Sequence, residues 1–289
     1  MKNTNKEENR VAYQSHFFTN NNLFKIGRAG KKRLIECEWF GAYTDGESKV
    51  EYTIEAEGTR TMNGFDQDVF LLILYLHRLQ HKRTKKDGNH EKINPTGIAK
   101  LDQYVELDFC SHELIKMLSW QLNTNSYKRL HRSLERLSRV YLLCHAESTS
   151  EKMRWSSHLL SYRDYRDYPK KNHRRFNLKL SICPLLTLVA QNAKKTTHSS
   201  HIIQERLRLS PAAKIIHGAI CSKLRPGKKQ RFKTATLISY MVEDISKISR
   251  QQKHKAISAI IELRDLDGWK SKHSKDSDTW NFYRPPIVS

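Results

Sequence analysis

The chain has 289 residues, 52 Lys plus Arg against 30 Asp plus Glu and a formal net charge of +22, and its sequence pI is near 9.8. Apolar residues are 38 %, below the roughly 45–50 % of an average globular chain, while 9 % aromatic content argues against wholesale disorder. Several classes are excluded: no run approaches the ~18 apolar residues of a membrane span, no charged segment with an apolar follower opens the chain as a secretion signal would, and the five scattered cysteines (Cys37, Cys110, Cys144, Cys183, Cys221) form neither a disulfide framework nor a CxxC metal pair.

Residues 1–22 are polar and unpatterned and read as a disordered N-terminal arm. From Arg33 to Ala56 two β-rich runs flank Asp45-Gly46, a hairpin signal. Asn63 to Gln80 reads as a core helix. Asn63 can cap it, Asp66 and Asp68 sit in its positive first turn, and Phe65, Val69, Leu72, Leu76 and Leu79 recur at helical spacing. The polar run His81–Lys92 reads as a loop. Ser111 is expected to cap a short helix through Trp120, with a turn at Asn123–Asn125.

Residues 126–139 then form a basic amphipathic helix. Tyr127, Leu130, Leu134 and Leu137 share one face, and Lys128, Arg129, Arg132, Ser133 and Arg136 cover the rest. Strands are expected at Val140–Glu147, Met153–Tyr162 and Arg175–Ile182, the last two joined by a basic link. That order, from core helix through short helix and basic helix to hairpin, is the winged-helix order.

The pattern recurs further on. Pro184–Gln191 reads as a short linking helix and His201–Leu207 as a strand. Ser210-Pro211 opens a helix as N-cap and first helical residue, and Pro226-Gly227 breaks it. Arg231–Thr234 is extended and Thr234–Tyr240 a short helix. Ser249–Leu266 is a second basic helix, with Ala256, Ile257, Ile260, Ile261 and Leu263 inward. Trp269–His273 and Thr279–Tyr283 close the chain as a hairpin. The fold expected is therefore α+β: two tandem winged-helix domains, mostly helical with short antiparallel sheets. They divide as 1–22 arm, 23–183 N-terminal domain with an added β-hairpin, and 184–289 C-terminal domain.

Catalytic signatures are missing from the sequence. There is no GxxxxGK[ST], no GxGxxG and no GxSxG. Tyr162, Tyr165 and Tyr168 could suggest a nicking nucleophile, but no activating metal motif accompanies them. His77 with His81, His198 with His201, and Cys110 with His112 lack further ligands at metal spacing. No enzyme activity, cofactor or metal is expected.

A charge of this size calls for a polyanion, and duplex nucleic acid is the expected partner rather than a membrane. Arg forks onto guanine and Gln onto adenine, whereas Lys mostly finds phosphate. The residues expected to meet DNA are Lys128, Arg129, Arg132, Ser133 and Arg136 on the first basic helix, and Lys170, Lys171, Arg174 and Arg175 in the first wing. In the second half they are Arg250, Gln251, Gln252, Lys255 and Ser258 on the basic helix, and Lys270, Lys272 and Lys275 in the closing hairpin.

The run LSPAAKIIHGAICSKLRPGKK, the TATLISYMV helix, RQQKHKAISAIIEL, DGW and the closing YRPP resemble the RepC-type replication initiators of IncQ-type plasmids. LFKIGRAGKKR with its Asp-Gly hairpin, and residues 125–148, fit the same family less closely. The resemblance implies an iteron-binding initiator in the bacterial cytoplasm. Such a protein binds tandem direct repeats at an origin, helps open neighbouring AT-rich DNA, and brings in a plasmid-encoded helicase and primase. It would act as a monomer on DNA or a weak homo-oligomer. A winged-helix transcriptional repressor or autoregulator is the alternative.

Overall fold

The computed structural model describes residues 11–15, 32–45, 48–60, 62–86, 105–147, 152–165, 177–183, 198–242 and 245–287. They form a mixed α+β fold. The balance differs from the mostly helical expectation: strands hold about as much chain as helices, largely because the hairpin β2 (Lys32–Asp45) and β3 (Ser48–Arg60) is long. Its register brings Asp45 opposite Ser48.

Helix α1 (Gly64–Lys86) starts where Asn63 caps it. Asn63 Oδ1 accepts from the N–H groups of Phe65 and Asp66 at 3.0 and 3.3 Å, and Asp66 Oδ2 accepts from the Asn63 N–H at 3.0 Å. This reciprocal cap satisfies donors that a helix start otherwise leaves orphaned. Val69 to Leu74 are each at most 2 % exposed, so the helix is buried all round, and each such side chain contributes roughly 1.5–3 kcal/mol. The helix runs on through His81–Lys86, where a loop was expected. Lys and Arg are good helix formers and suit the negative end of the dipole.

Strand β4 (Val105–Cys110), helix α2 (Ser111–Met117) and helix α3 (Thr124–Ser138) follow. The cap position of α2 is Cys110, with no side-chain bond; Ser111, expected there, is instead the first helical residue and buried. Asn123 caps α3, its Oδ1 accepting from the Ser126 N–H at 2.9 Å.

Strand β5 (Val140–Glu147) has the expected bounds. The next run does not stay whole. It breaks at Leu159 into β6 (Lys152–His158) and β7 (Leu160–Tyr165). Leu159 is fully buried. Its N–H donates to Val140 O at 2.9 Å and its carbonyl accepts from Cys183 N–H at 3.4 Å, so one residue is pinned between two sheets. These sheets are antiparallel, ordered β2-β3-β5-β6 and β4-β8-β7, with β8 at Asn177–Ile182.

Two expectations are corrected near the N-terminus and the middle of the chain. Within the supposed disordered arm, β1 (Val11–Ser15) is a strand, paired antiparallel with β9 (His198–Ile202). The predicted strand His201–Leu207 ends at Ile202, and helix α4 (Ile203–Leu207) takes over. The linking helix predicted at Pro184–Gln191 lies outside the described residues.

Ser210 caps helix α5 (Pro211–Lys223), its Oγ accepting from the Ala213 N–H at 3.3 Å. Strand β10 (Lys229–Lys233), helix α6 (Thr234–Ser239) and helix α7 (Arg250–Glu262) follow, then strands β11 (Lys270–Ser274) and β12 (Thr279–Tyr283). Gly268, at φ +74°, makes the turn before β11. The sheet order is β10-β12-β11. Ala256, Ala259, Ile260 and Leu263 are buried, whereas Ile261 is 42 % exposed and Ile257 only half buried. The predicted inner face was thus about one residue too wide; Ile261 lies a further 100° round from Ile260.

With β5 and β6 set aside, which intervene between α3 and β7 and belong to the β2-β3-β5-β6 sheet, one order occurs twice: helix, strand, two helices, two strands, with the last strand central in its sheet. Elements α1, β4, α2, α3, β7 and β8 make the first set, and α5, β10, α6, α7, β11 and β12 the second. Each set has its own apolar core, one ending with Ile203 and its neighbour Leu207, the other opening with Leu209.

The two sets meet through α1 and α5. A Cβ on Gly64 would lie 2.8 Å from Pro211 O and 3.0 Å from Lys214 Cβ, so the first turns touch almost backbone to backbone. Beside this contact Asp68 is buried with two buried cations. Arg206 Nε donates to Asp68 Oδ1 at 3.1 Å, and Lys214 Nζ pairs with Asp68 Oδ2. The remaining Arg206 nitrogens reach Gln67 Oε1 at 2.9 Å and Lys214 O at 2.8 Å. Burial pulls the Lys214 ammonium below its ordinary pKa, and Asp68 opposes that shift.

Candidate nucleic-acid interface

Helix α3 is fixed by its apolar face. Leu130, Leu134 and Leu137 are fully buried and Tyr127 packs against the same core. Thr124, Asn125, Lys128 and Arg132 are exposed. They recur at helical spacing, as one outward face requires.

The other expected contact residues on α3 are placed differently. Ser133 is 0 % exposed and its Oγ donates to Asp66 Oδ1 at 2.5 Å. It faces the helix it packs on, so its expected outward position is corrected. Arg136 has 11 % of its side chain exposed. Its Nε and Nη2 donate to the two Asp66 oxygens at 3.0 and 2.6 Å, a bidentate fork. Asp66 thus caps α1 and anchors α3 at once, which a carboxylate's several lone pairs allow. Arg129 is half buried, its guanidinium 3.5 Å from the centre of the Phe65 ring and 4.8 Å from that of Trp120. Burial lowers its pKa, against the pull of Asp66 and Asp68.

These side chains bound a hollow of about 520 Å³, lined by Asn63, Phe65, Asn125, Lys128, Arg129, Arg132 and Arg136. Sequence reasoning singled out its four cations and missed the rest. Asn125 had been read as part of a turn, and nothing in the periodicity brings Asn63 or Phe65 beside α3.

Helix α7 presents a different surface. Arg250, Gln251, Gln252, Lys255 and Ser258 are all exposed, as are Lys253 and His254. Ser249 and Gln252 form a capping box: Gln252 Oε1 accepts from the Ser249 N–H at 2.9 Å and Ser249 Oγ from the Gln252 N–H at 3.2 Å. The far end is held by Glu262, whose oxygens accept from the Ser210 N–H at 2.5 Å and the Ser210 hydroxyl at 2.6 Å.

Lys270 and Lys272 are exposed on β11, and Lys275 is exposed in the turn to β12. That turn is tied to α6. Asp278, at φ +44°, accepts from Thr234 Oγ1 at 2.7 Å and from His273 Nε2 at 3.2 Å. The Thr234 bond, then His273, holds its carboxyl below the usual range. Lys170, Lys171, Arg174 and Arg175 lie outside the described residues.

The side chains weighed as catalytic or metal-binding have structural surroundings where described. Tyr162 meets His131 edge-on at 5.7 Å, and His77 is buried within α1. Among the described residues no group of three or more His, Cys, Asp or Glu could hold a metal ion. No described helix is long and apolar enough to cross a membrane.

No protein-family model matches the chain, and no curated protein sequence does. Solved structures similar in fold include two of RctB. A selenomethionine crystal structure of domains 2 and 3 of RctB superposes with a TM-score of 0.53 at 11 % identity, covering 94 % of this chain and 96 % of that one. A second crystal structure of RctB domains 2–3 gives 0.52 at 9 % identity, with 93 % and 95 % covered. The chain is thus built, over nearly its whole length, like those two RctB domains.

Proposed function

We propose that the chain is a replication initiator that holds double-stranded origin DNA through two winged-helix units. The observation that carries this reading is the repeated order of elements, with an outward face of Arg, Lys, Gln, Asn or Ser on the third helix of each set. The whole-length likeness to domains 2 and 3 of RctB, a replication initiator, supports it. In each unit the third helix would enter the major groove and the following hairpin would lie along the backbone. Lys128, Arg132, Gln251 and Lys255 are exposed enough to reach base edges or phosphates, and Lys270, Lys272 and Lys275 are suited to phosphates. The role is that of a binding protein rather than an enzyme.

Two reading helices on one chain suit tandem direct repeats better than an inverted repeat, because one chain fills a site without a two-fold partner. Several chains on adjacent repeats would concentrate deformation in neighbouring AT-rich DNA, where flexible TA steps yield first. Recruitment of a plasmid helicase and primase follows from the RepC-type resemblance.

The test is a salt series comparing a fragment that carries the repeats with random duplex of equal length. Tighter binding to the repeats, with occupancy stepping up by repeat number, is expected. Equal affinity for both, differing only with salt, would reduce the chain to a general polyanion binder.

A further inference from the structure

The hollow between α1 and α3 has a charge pattern that its own walls do not balance. Lys128, Arg129, Arg132 and Arg136 line it and no carboxylate does. Asp66, behind Arg136, already receives two bonds from that guanidinium, one from the Ser133 hydroxyl and one from the Asn63 N–H. Charges of one sign held close together in a partly buried space raise each other's free energy. An anion relieves that cost.

The geometry also selects the kind of anion. Arg129 is held flat by Phe65 and Trp120, so its donors are set in place before anything binds. Arg132 and Lys128 stand exposed at the mouth, with Asn125 beside them. A guanidinium fork matches the spacing of phosphate oxygens, and an ammonium adds charge without demanding an angle. At about 520 Å³ the hollow falls in the ~300–1,000 Å³ range of small-ligand sites. Its lining is far more cationic than a site for an apolar ligand.

We propose that this hollow is a phosphate site, in which Arg129 and Arg132 take the oxygens of one phosphate group and Lys128 closes the mouth. The phosphate comes either from the duplex backbone bordering the groove that α3 reads or from the phosphate chain of a free nucleotide. Only the first source rests on the DNA-binding reading above.

The experiment uses the full chain, Arg132→Gln, and Lys152→Gln as a control that removes an exposed charge remote in sequence from the hollow. Inorganic pyrophosphate is titrated by calorimetry, and random duplex binding is measured across a salt series. Pyrophosphate binding one to one, weakened at least ~10-fold by Arg132→Gln and less than about twofold by Lys152→Gln, establishes the site with a free phosphate as ligand. No pyrophosphate binding, but a log–log salt slope on duplex reduced by about 1 in Arg132→Gln alone, establishes it with the backbone as source. If both variants behave alike in both assays, the proposal is wrong. Circular dichroism melts confirm that both variants fold. Loss of preference for repeats with the pyrophosphate result intact would sink the initiator reading and leave this one standing.

Discussion

The two units solve one structural problem with opposite charges. In each, the third helix must be pinned against the start of the first while its other face stays open. Arg136 is the thirteenth residue of α3 and Glu262 the thirteenth of α7. Arg136 donates to Asp66 in the first turn of α1, whereas Glu262 accepts from Ser210 at the cap of α5. The position of the bond is shared and its polarity is reversed. The topology needs a polar clamp at that place; it does not dictate which partner supplies the negative charge. The difference also sets how much cation each helix keeps free. Helix α3 commits Arg136 to its anchor and lays Arg129 on aromatic rings, while α7 leaves its basic residues exposed.

The largest expected effect comes from the group that joins the units. Asp68→Ala leaves Arg206 and Lys214 buried without their carboxylate and should cost about 3–5 kcal/mol, read by urea unfolding. A change within about 0.5 kcal/mol would mean the junction contributes nothing that the two cores do not already supply.

The paired clamps come next. Arg136→Ala strands the buried Asp66 carboxylate and should cost about 3 kcal/mol, with little change in preference among DNA sequences. Glu262→Ala removes the acceptors of two hydrogen bonds from a half-buried serine and should cost about 1–2 kcal/mol. Equal losses in the two variants would break the comparison.

On DNA the two helices should differ in what they contact. Gln251→Ala should cost roughly 1–3 kcal/mol on specific duplex and little on random duplex, as a base reader would, whereas Arg132→Ala should weaken specific and random duplex alike, as a phosphate contact would. Lys272→Ala should weaken specific and random duplex alike. A loss confined to specific duplex for Arg132 would make it a base reader instead.

The smallest effect concerns the closing hairpin. The Asp278 carboxyl titrates lower folded than unfolded, so its contribution is present above the unfolded value of about 3.9 and is lost as pH falls through the folded one. Asp278→Asn keeps a residue tolerant of positive φ and an acceptor for Thr234. It should lower the melting temperature slightly at pH 6, by a difference that shrinks as the pH falls below about 3.9. A difference that does not change with pH would show that charge is not what Asp278 contributes.

How much of this could be read from the chain depends on the range of the interaction. Asn63 and Ser210-Pro211 are visible as caps because a cap is decided within four residues. The buried faces of α1 and α3 are visible because periodicity is local too. Leu159 is different: it ends one strand and begins another because Val140 and Cys183 hold it from two sheets, and neither neighbour is close in sequence. The same holds for β1, which finds its partner about 190 residues away. The open face of α7 follows from composition and spacing. That of α3 needed correction at Ser133 and Arg136, because Asp66 reaches them from about 70 residues upstream. Asp66 and Asp68 were legible as first-turn acids. Their work as anchors of a second helix and a second unit was not, since nothing local distinguishes them from any dipole-suited carboxylate.

The contact at Gly64 has a mechanical meaning. With no side chain on Gly64 to separate the first turns of α1 and α5, and with Asp68 fastened to Arg206 and Lys214, helices α3 and α7 are jaws of a caliper whose opening is set at the pivot. A caliper of fixed gauge does not adjust to its workpiece. Under the proposed function, any mismatch in phase between successive grooves would be taken up by twist in the duplex, and spacing between half-sites would be a quantity this protein measures.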